Sequence, residues 1–161
     1  MLALVPCIDT AKYGLEKFPE PGGEFRELFS AHGREVRGKS LQLDFHRYYQ
    51  IEREKRLVWV VARSIETNKP IGYSLHYWYR DLHYFADIVG ADDLWYVEKS
   101  FRKNGVGRML KLMGHAELQR QGCVRTSDNI RASYSHHMLM RDVGFEPWGI
   151  RWQKELQLKS N

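Results

Sequence analysis

A basic, glycine-containing segment follows a short apolar run near residue 100. It contains Gly105 and Gly107, and helical spacing of apolar residues begins at Val106. Because the first N–H groups of a helix have no intrahelical partner and its dipole leaves partial positive charge there, such a segment attracts anions. Three cationic side chains surround the glycines: Arg102, Lys103 and Arg108. The segment therefore predicts a site for a pyrophosphate group, which glycine allows to approach the backbone closely.

Two other phosphate-binding patterns compete with this segment. A dinucleotide fingerprint needs a third glycine at position 110, where the chain has Leu110. Residues 33–40 satisfy the P-loop expression Gly-x-x-x-x-Gly-Lys-Ser/Thr, but residues 24–31 before them have helical spacing. Since a P-loop must follow a buried strand, we expect residues 33–40 to form a basic loop between two helices. Nucleotide binding by that loop is the alternative function.

Apolar periodicity predicts the elements that position the basic segment. Residues 57–63 predict a strand covered on both faces, because residues 57–62 are apolar without interruption and three of them are β-branched valines. Residues 71–79 alternate with a period of two and predict the second strand of a hairpin. Residues 94–97 predict a further strand, and residues 106–121 predict a helix that ends before Gly122. The basic segment is therefore expected between the end of a strand and the start of a helix.

The remaining segments complete an α/β pattern. Before residue 57 we expect a strand and two helices: residues 1–8, a helix around Leu28, and a helix that begins with Ser40 as its N-cap. After residue 122 we expect a strand, a helix and a strand: residues 123–126, 131–143 and 145–156. This order predicts one layered α/β domain over residues 1–161, with a mixed sheet.

Two motifs resemble those of the GNAT-type N-acetyltransferases. Arg102-Lys103-Asn104-Gly105-Val106-Gly107 is similar to the family's Arg/Gln-x-x-Gly-x-Gly/Ala signature, which cradles the pyrophosphate of acetyl-coenzyme A, and it stands five residues after Val97 as in the family. Residues 140–146 resemble the family's closing Tyr-x-x-x-Gly-Phe. The resemblance covers residues 57–156, the expected coenzyme-binding core, whereas residues 1–56 match only in element order and correspond to the variable acceptor side.

This resemblance implies a fold, a reaction and a coenzyme site. The fold is a mixed, mostly antiparallel central sheet flanked by helices, with two central strands splayed apart. Acetyl-coenzyme A is the cosubstrate, no metal is implied, and a primary amine of a small molecule or a protein attacks the thioester directly in a ternary complex. The pantetheine arm then pairs with the free edge of a strand. The implied coenzyme-binding residues are Trp95, Tyr96, Val97, Arg102, Lys103, Asn104, Gly105, Val106, Gly107 and Arg108.

Direct attack by an amine requires a base for the amine proton and an acid for the departing thiolate. Glu98, just past the strand at residues 94–97, and Asp128, after the following strand, are the candidate bases. Either carboxylate could instead be a surface or capping group. Met140 stands where the family often carries a tyrosine that protonates the departing thiolate. The candidate acids are Tyr134, His136 and His137, with water as the alternative.

Composition limits the class of protein and its partners. The 161 residues are 43% hydrophobic, which suffices for one core, and their 25 Lys and Arg against 20 Asp and Glu favour a polyanionic partner. An aromatic strand with this charge leaves a non-catalytic nucleic-acid-binding module as a second alternative; its residues are Tyr73, Tyr77, Trp78 and Tyr79.

The location and the partners follow from what the sequence lacks. No apolar run could cross a bilayer, no signal-peptide pattern opens the chain, and Cys7 and Cys123 lack a metal or redox spacing. We therefore expect a cytoplasmic protein without a membrane partner. Acetyl-coenzyme A and an amine are the expected partners rather than nucleic acid, and a homodimer is left open.

Overall fold

In the computed structural model of the chain, residues 10–128 and 137–146 are described, the side chain of His137 excepted. The strands within these residues are β1 (Ala11–Leu15), β2 (Leu57–Ser64), β3 (Pro70–Arg80), β4 (Ile88–Val97) and β5 (Cys123–Asp128). The helices are α1 (Arg26–Arg37), α2 (Phe45–Arg53), α3 (Val106–Arg120) and α4 (His137–Asp142). The predicted strand over residues 1–8, the first part of the helix over residues 131–143, and the final strand from residue 147 onward lie outside the described residues.

The five strands form one mixed sheet in the order β1-β2-β3-β4-β5. The neighbours from β1 to β4 are antiparallel, and β5 runs parallel to β4. The predicted hairpin is confirmed, since Leu57 pairs with Tyr77 and Ala62 with Gly72. The layered, mostly antiparallel fold expected from the sequence is therefore confirmed.

Helices cover both faces of this sheet. On one face, α1 and α2 pack their aromatic side chains against Trp59 and Tyr73. On the other face, α3 packs Val106, Leu110 and Leu118 against β2 and its neighbours. Because β2 is buried on both faces, every residue from Val58 to Ala62 is apolar, as the uninterrupted run predicts. Full burial of each large side chain contributes about 1.5–3 kcal/mol.

Strands β4 and β5 part before β4 ends. They pair from Ile88 to Asp92 of β4, where Asp92 lies opposite Asp128, whereas β4 continues to Val97 paired only with β3 among the described residues. An irregularity in the β3–β4 register skips Asp93, which gives β4 one extra residue at this point. The splayed strands expected from the family resemblance are therefore confirmed, and they leave one edge of residues 93–97 open.

Two predictions between residues 33 and 53 are wrong. Residues 33–37 form the end of α1 rather than a loop, because the helix continues until Gly38, whose φ of 72° supplies its left-handed cap. This finding rules out the P-loop alternative, because the backbone N–H groups of residues within a helix cannot wrap around a phosphate. Helix α2 begins after Asp44, not after Ser40, because the Asp44 carboxylate accepts the N–H of Arg47 at 3.0 Å.

Two predicted side-chain faces also require correction. Tyr73 is fully buried in the core, so it cannot stack on a nucleic-acid base as the second alternative requires. In α3 the sequence predicts Ala116 on the buried face, but Ala116 is exposed while Lys111 and Gly114 are buried. Apolar periodicity misplaced this face because a buried polar network, described below, lies under α3. No helix among the described residues combines the length and the apolar character needed to cross a membrane.

Candidate functional site

The start of α3 is open in the way an anion site requires. Gly105 is its N-cap, with a φ of 77° that favours glycine, and no side chain caps the helix. The first turn contains no acidic residue but does contain Arg108. A cation at this end of a helix opposes the helix dipole unless an anion binds there. Lys103 also has a positive φ, 69°, and such strain at a non-glycine residue is common at ligand sites.

Gly107 is required by the close packing of α3 on β4. A Cβ atom at position 107 would lie 2.7 Å from Cζ2 of Trp95, well inside van der Waals contact. The absence of a side chain therefore lets the first turn of α3 rest on the Trp95 ring and keeps the helix start uncovered.

Arg102, one of the three cationic side chains near the glycines, is fixed by three partners. Its Nε donates to the Val97 carbonyl at 2.8 Å, and its two terminal nitrogens donate to the Glu35 carboxylate at 2.7 and 2.8 Å. The guanidinium also lies over the Tyr96 ring. The hydrogen bonds from Arg102 hold the pKa of Glu35 below its usual range. These contacts tie α1 to the segment that follows β4.

One cavity of about 740 Å³ joins the start of α3 to the fork between β4 and β5. Eight of the ten implied coenzyme-binding residues line it: Trp95, Tyr96, Val97, Arg102, Lys103, Gly105, Gly107 and Arg108. Asn104 and Val106 are not among the lining residues, and Val106 instead packs in the core under α3. The cavity is basic at the helix start, and acidic at the fork, where Asp92, Asp93 and Asp128 line it.

The predicted catalytic residues fall in different places. Asp128 lines the cavity, and its carboxylate lies 2.6 Å from the ammonium of Lys111. Glu98 is exposed and is absent from the cavity lining, because it follows the last residue of β4 and its N–H bonds the Ile71 carbonyl. Tyr134 and His136 lie outside the described residues. The structure therefore brings only Asp128 to the cavity among the described catalytic candidates.

A buried polar network that sequence periodicity missed lies beside Asp128. Its centre is the Asp92 carboxylate, which accepts four hydrogen bonds of 2.7 to 3.0 Å, from His76, Lys111, His115 and Thr126. Burial raises the pKa of Asp92, but the hydrogen bonds from the two imidazoles and the charge of Lys111 outweigh this and hold it well below its usual range. Asp92 is therefore an ionised, fully satisfied group.

The network also determines which form of His76 is present. Burial lowers the pKa of His76, so the ring is neutral at pH 7. Because Asp92 is ionised, His76 donates from Nδ1, and its Nε2 accepts from the Ser74 hydroxyl. Gly114 of α3 lies directly over this ring, where a Cβ would collide with it. This contact joins residues far apart in the chain, so no local sequence pattern could have located the network.

The network contains a donor set that metals use, but its charges oppose a metal. One ligand atom from each of His76, Asp92 and His115 lies within 4.8 Å of the others, and zinc binds such groups. The Lys111 ammonium, however, lies 2.7 Å from Asp92 Oδ2. A cation bound there would face that positive charge at close range. We therefore assign no metal to these residues.

Asp93 and His32 form two further parts of the cavity wall that the sequence did not indicate. The Tyr48 hydroxyl donates to Asp93 at 2.6 Å, and burial together with this carboxylate raises the pKa of Tyr48. His32 stacks on Tyr96 with centroids 5.0 Å apart, and its Nδ1 lies 2.6 Å from the Tyr73 hydroxyl. Burial lowers the pKa of His32 to about 4, so the ring is neutral at pH 7.

Comparisons with known proteins agree with this geometry. Residues 24–145 match the model of the acetyltransferase (GNAT) family. No curated protein sequence matches the chain significantly. Among solved structures, the chain is similar to an acetyltransferase of Trypanosoma brucei and to glucosamine-6-phosphate N-acetyltransferase of Arabidopsis thaliana, with TM-scores of 0.70 and identities of 14% and 12%.

A third solved structure was determined with a coenzyme A derivative bound. It is AAC(6')-Iy in complex with the bisubstrate analogue CoA-S-monomethyl-acetylneamine, with a TM-score of 0.65 and 15% identity. Each of the three similarities covers 91% of this chain and 99% of the other. At these identities the structural similarities establish the fold alone.

Proposed function

Because this chain belongs to the GNAT family of acetyltransferases, we propose that it transfers an acetyl group from acetyl-coenzyme A to a primary amine. The observation that carries the proposal is the division of charge within one cavity. Its basic end, at the start of α3, suits the diphosphate of the coenzyme, and its acidic end, at the β4–β5 fork, suits a cationic amine. The open edge of β4 connects the two ends.

At the basic end, backbone and side chains would share the diphosphate. The N–H groups of the first turn of α3 carry no side-chain cap, and Lys103 and Arg108 line the cavity beside them. Arg102 would mainly hold the segment after β4 in place rather than bind the diphosphate, because Glu35 and the Val97 carbonyl already accept hydrogen bonds from its guanidinium. The pantetheine arm would pair along residues 93–97 as an added strand, which orients the thioester towards the fork.

At the acidic end, the reaction needs a proton acceptor. The bound ammonium first loses one proton to water and becomes a neutral amine. Its nitrogen lone pair then forms the new C–N bond, the C–S bond breaks, and the sulfur leaves with its electron pair and takes up a proton. The proton released from nitrogen passes to a carboxylate. Asp128 and Asp93 are the two carboxylates proposed for this role; Asp92 is not, since four donors saturate it. Tyr134 and His136 remain proposed acids for the thiolate.

The domain organisation and the location are part of the same proposal. We propose that residues 1–161 form one acyltransferase domain, in which residues 57–156 bind the coenzyme and residues 1–56 shape the acceptor side. Residues of the first part also line the cavity, among them His32, Val36 and Leu41, which supports a role for residues 1–56 in shaping the site. A cytoplasmic location is also proposed.

Two measurements test the function. In isothermal titration calorimetry, coenzyme A should bind with micromolar affinity whereas ATP, which lacks the pantetheine arm, should bind at least tenfold more weakly. Thiol release should then be measured with acetyl-coenzyme A and a panel of small amines and N-terminal peptides. Equal affinity for ATP, or absence of thiol release with every amine, would contradict the proposal. The variants Asp128→Asn and Asp93→Asn, compared at saturating coenzyme, decide which carboxylate takes the proton.

A further inference from the structure

Asp92 and Asp128 form a close carboxylate pair at the point where β4 and β5 separate. They are opposite each other in the last parallel pair of the two strands. Lys111 of α3 lies between them, with its ammonium 2.7 Å from Asp92 Oδ2 and 2.6 Å from Asp128 Oδ2. The exposed fractions of these side chains are 2% for Asp92, 14% for Asp128 and 1% for Lys111. Two charged groups, Asp92 and Lys111, are therefore buried at the acidic end of the cavity, and Asp128 beside them is partly buried.

Such a pair is not stable as two anions without a cation between them. Two carboxylates that share a site and little water repel each other, so the pKa of one rises and the pair holds a shared proton to higher pH. Lys111 removes that repulsion by pairing with both at once. Replacing buried ion pairs by apolar groups is often neutral or stabilising in proteins, so the fold alone does not require this arrangement.

The two carboxylates differ in what else they contact. Asp92 is saturated by His76, His115 and Thr126 in addition to Lys111, and it is the anchor of the network. Asp128 lines the cavity with the Lys111 contact as its hydrogen bond among the described side chains. Only one carboxylate of the pair is thus arranged to react.

We infer that Lys111 is a positioning residue that keeps Asp128 ionised and oriented to receive the proton of the attacking amine. Asp92 holds Lys111 in place, and the ammonium in turn holds the Asp128 carboxylate at the fork. This inference rests on the proposed acetyl transfer. It adds that Lys111 prepares Asp128 to act as the base of that reaction. It also extends to Lys111 a role that neither the sequence motif nor the family resemblance indicates.

The titratable groups around Asp128 come from three elements. Lys111 of α3 and Asp92 of β4 face it directly, and His115 of α3 and His76 of β3 lie behind Asp92. Burial keeps the pKa of His76 low, so His76 adds no positive charge at pH 7. Two carboxylates and one ammonium sum to one negative charge, and removal of Lys111 leaves two negative charges. The pair should then take up a proton.

The test is the pH dependence of kcat in Lys111→Met, measured by thiol release at saturating acetyl-coenzyme A. At pH 7 we expect kcat to fall at least tenfold, because the shared proton occupies the base. As the pH rises the proton is lost, so activity should recover, and the acidic limb of the profile should lie at least one pH unit higher than in the wild type. Lys111→Gln, which retains a hydrogen-bond donor, should show the same displacement if the methionine variant folds poorly.

Two further variants separate positioning from mere structural support. Asp92→Asn in the Lys111→Met background removes the like charge beside Asp128 and should return the acidic limb towards its wild-type position. Leu118→Ala is the matched control, because Leu118 is a buried, uncharged residue of the same helix. It should lower the melting temperature without displacing the limb. A limb that stays at its wild-type position in both Lys111 variants would overturn the inference.

Failure of this inference can be distinguished from failure of the proposed function. If the wild type releases thiol with an amine and both Lys111 variants keep its pH profile, the positioning role is wrong while acetyl transfer stands. If the wild type binds coenzyme A but acetylates no amine, the proposed function is wrong, and the positioning role is rejected with it. Coenzyme affinity within twofold of the wild type in the Lys111 variants would show that they change the chemistry rather than the coenzyme site.

Discussion

Replacement of Gly107 is the perturbation that most directly tests the proposed coenzyme site apart from the rest of the fold. A Cβ there would lie 2.7 Å from Cζ2 and 3.4 Å from Cε2 of Trp95. Ordinary contacts are 3.4–4 Å, so the indole ring must move by roughly 1 Å, and overpacking of this kind costs about 1–3 kcal/mol. Trp95 lines the cavity and lies against Lys111, so the displaced ring narrows the path between the two ends of the site.

We expect Gly107→Val to raise the Kd of coenzyme A at least tenfold, equivalent to about 1.4 kcal/mol. Gly107→Ala should act in the same direction by a smaller amount, because it adds the same Cβ without the two methyl groups. Isothermal titration calorimetry gives both affinities, and thermal melting gives the accompanying loss of stability. Leu118→Ala, which destabilises α3 away from the cavity, serves as the control and should keep the wild-type Kd. An unchanged Kd in Gly107→Val would refute the assignment of the helix start to the coenzyme.

Two other predictions concern residues outside the reacting groups. Met140 is buried, so Met140→Ala should lower the free energy of unfolding by about 2–5 kcal/mol and leave kcat per folded molecule unchanged; a collapse of kcat at normal stability would show that this residue takes part in the chemistry. The folded-state pKa of His32 is about 4, below its ordinary value of 6.5, because burial disfavours the charged ring. Below pH 6.5 the unfolded state binds a proton on His32 that the folded state does not. The free energy of unfolding is therefore at its full value above pH 6.5 and falls by up to about 3 kcal/mol as the pH decreases towards 4. Urea unfolding across that range should show a shallower decline in His32→Gln, and parallel declines would contradict this origin.

The sheet and the open start of α3 could be predicted because their signals are local. The uninterrupted apolar run of β2 indicates burial on both faces of the sheet. The order of strand, glycine and helix around Gly105 indicates an open helix start. Both follow from backbone chemistry within a few residues. The predicted end of α3 was correct for the same reason, since Gly122 has the positive φ that a helix end favours.

The acidic end of the cavity could not be predicted, because its residues are far apart in the sequence and come together only in the folded chain. Asp92 and Asp93 interrupt the apolar pattern of β4, so the sequence placed the start of that strand at residue 94 instead of Ile88. Asp92 is tolerated in the core only because donors from β3, α3 and β5 converge on it. Nothing in the sequence singles out Lys111, since long charged side chains are seldom buried without a partner. No local pattern shows that the partner comes from another strand.

Hydrogen–deuterium exchange of the unmodified protein with and without coenzyme A tests the central assignment most directly. If the diphosphate binds at the start of α3 and the pantetheine arm pairs with the open edge of β4, amide exchange should slow in two segments, residues 105–108 and residues 93–97. Exchange in β1 and α2, which are absent from the lining of the cavity, should be unchanged. Slower exchange confined to other segments, or no change at saturating coenzyme, would contradict the account.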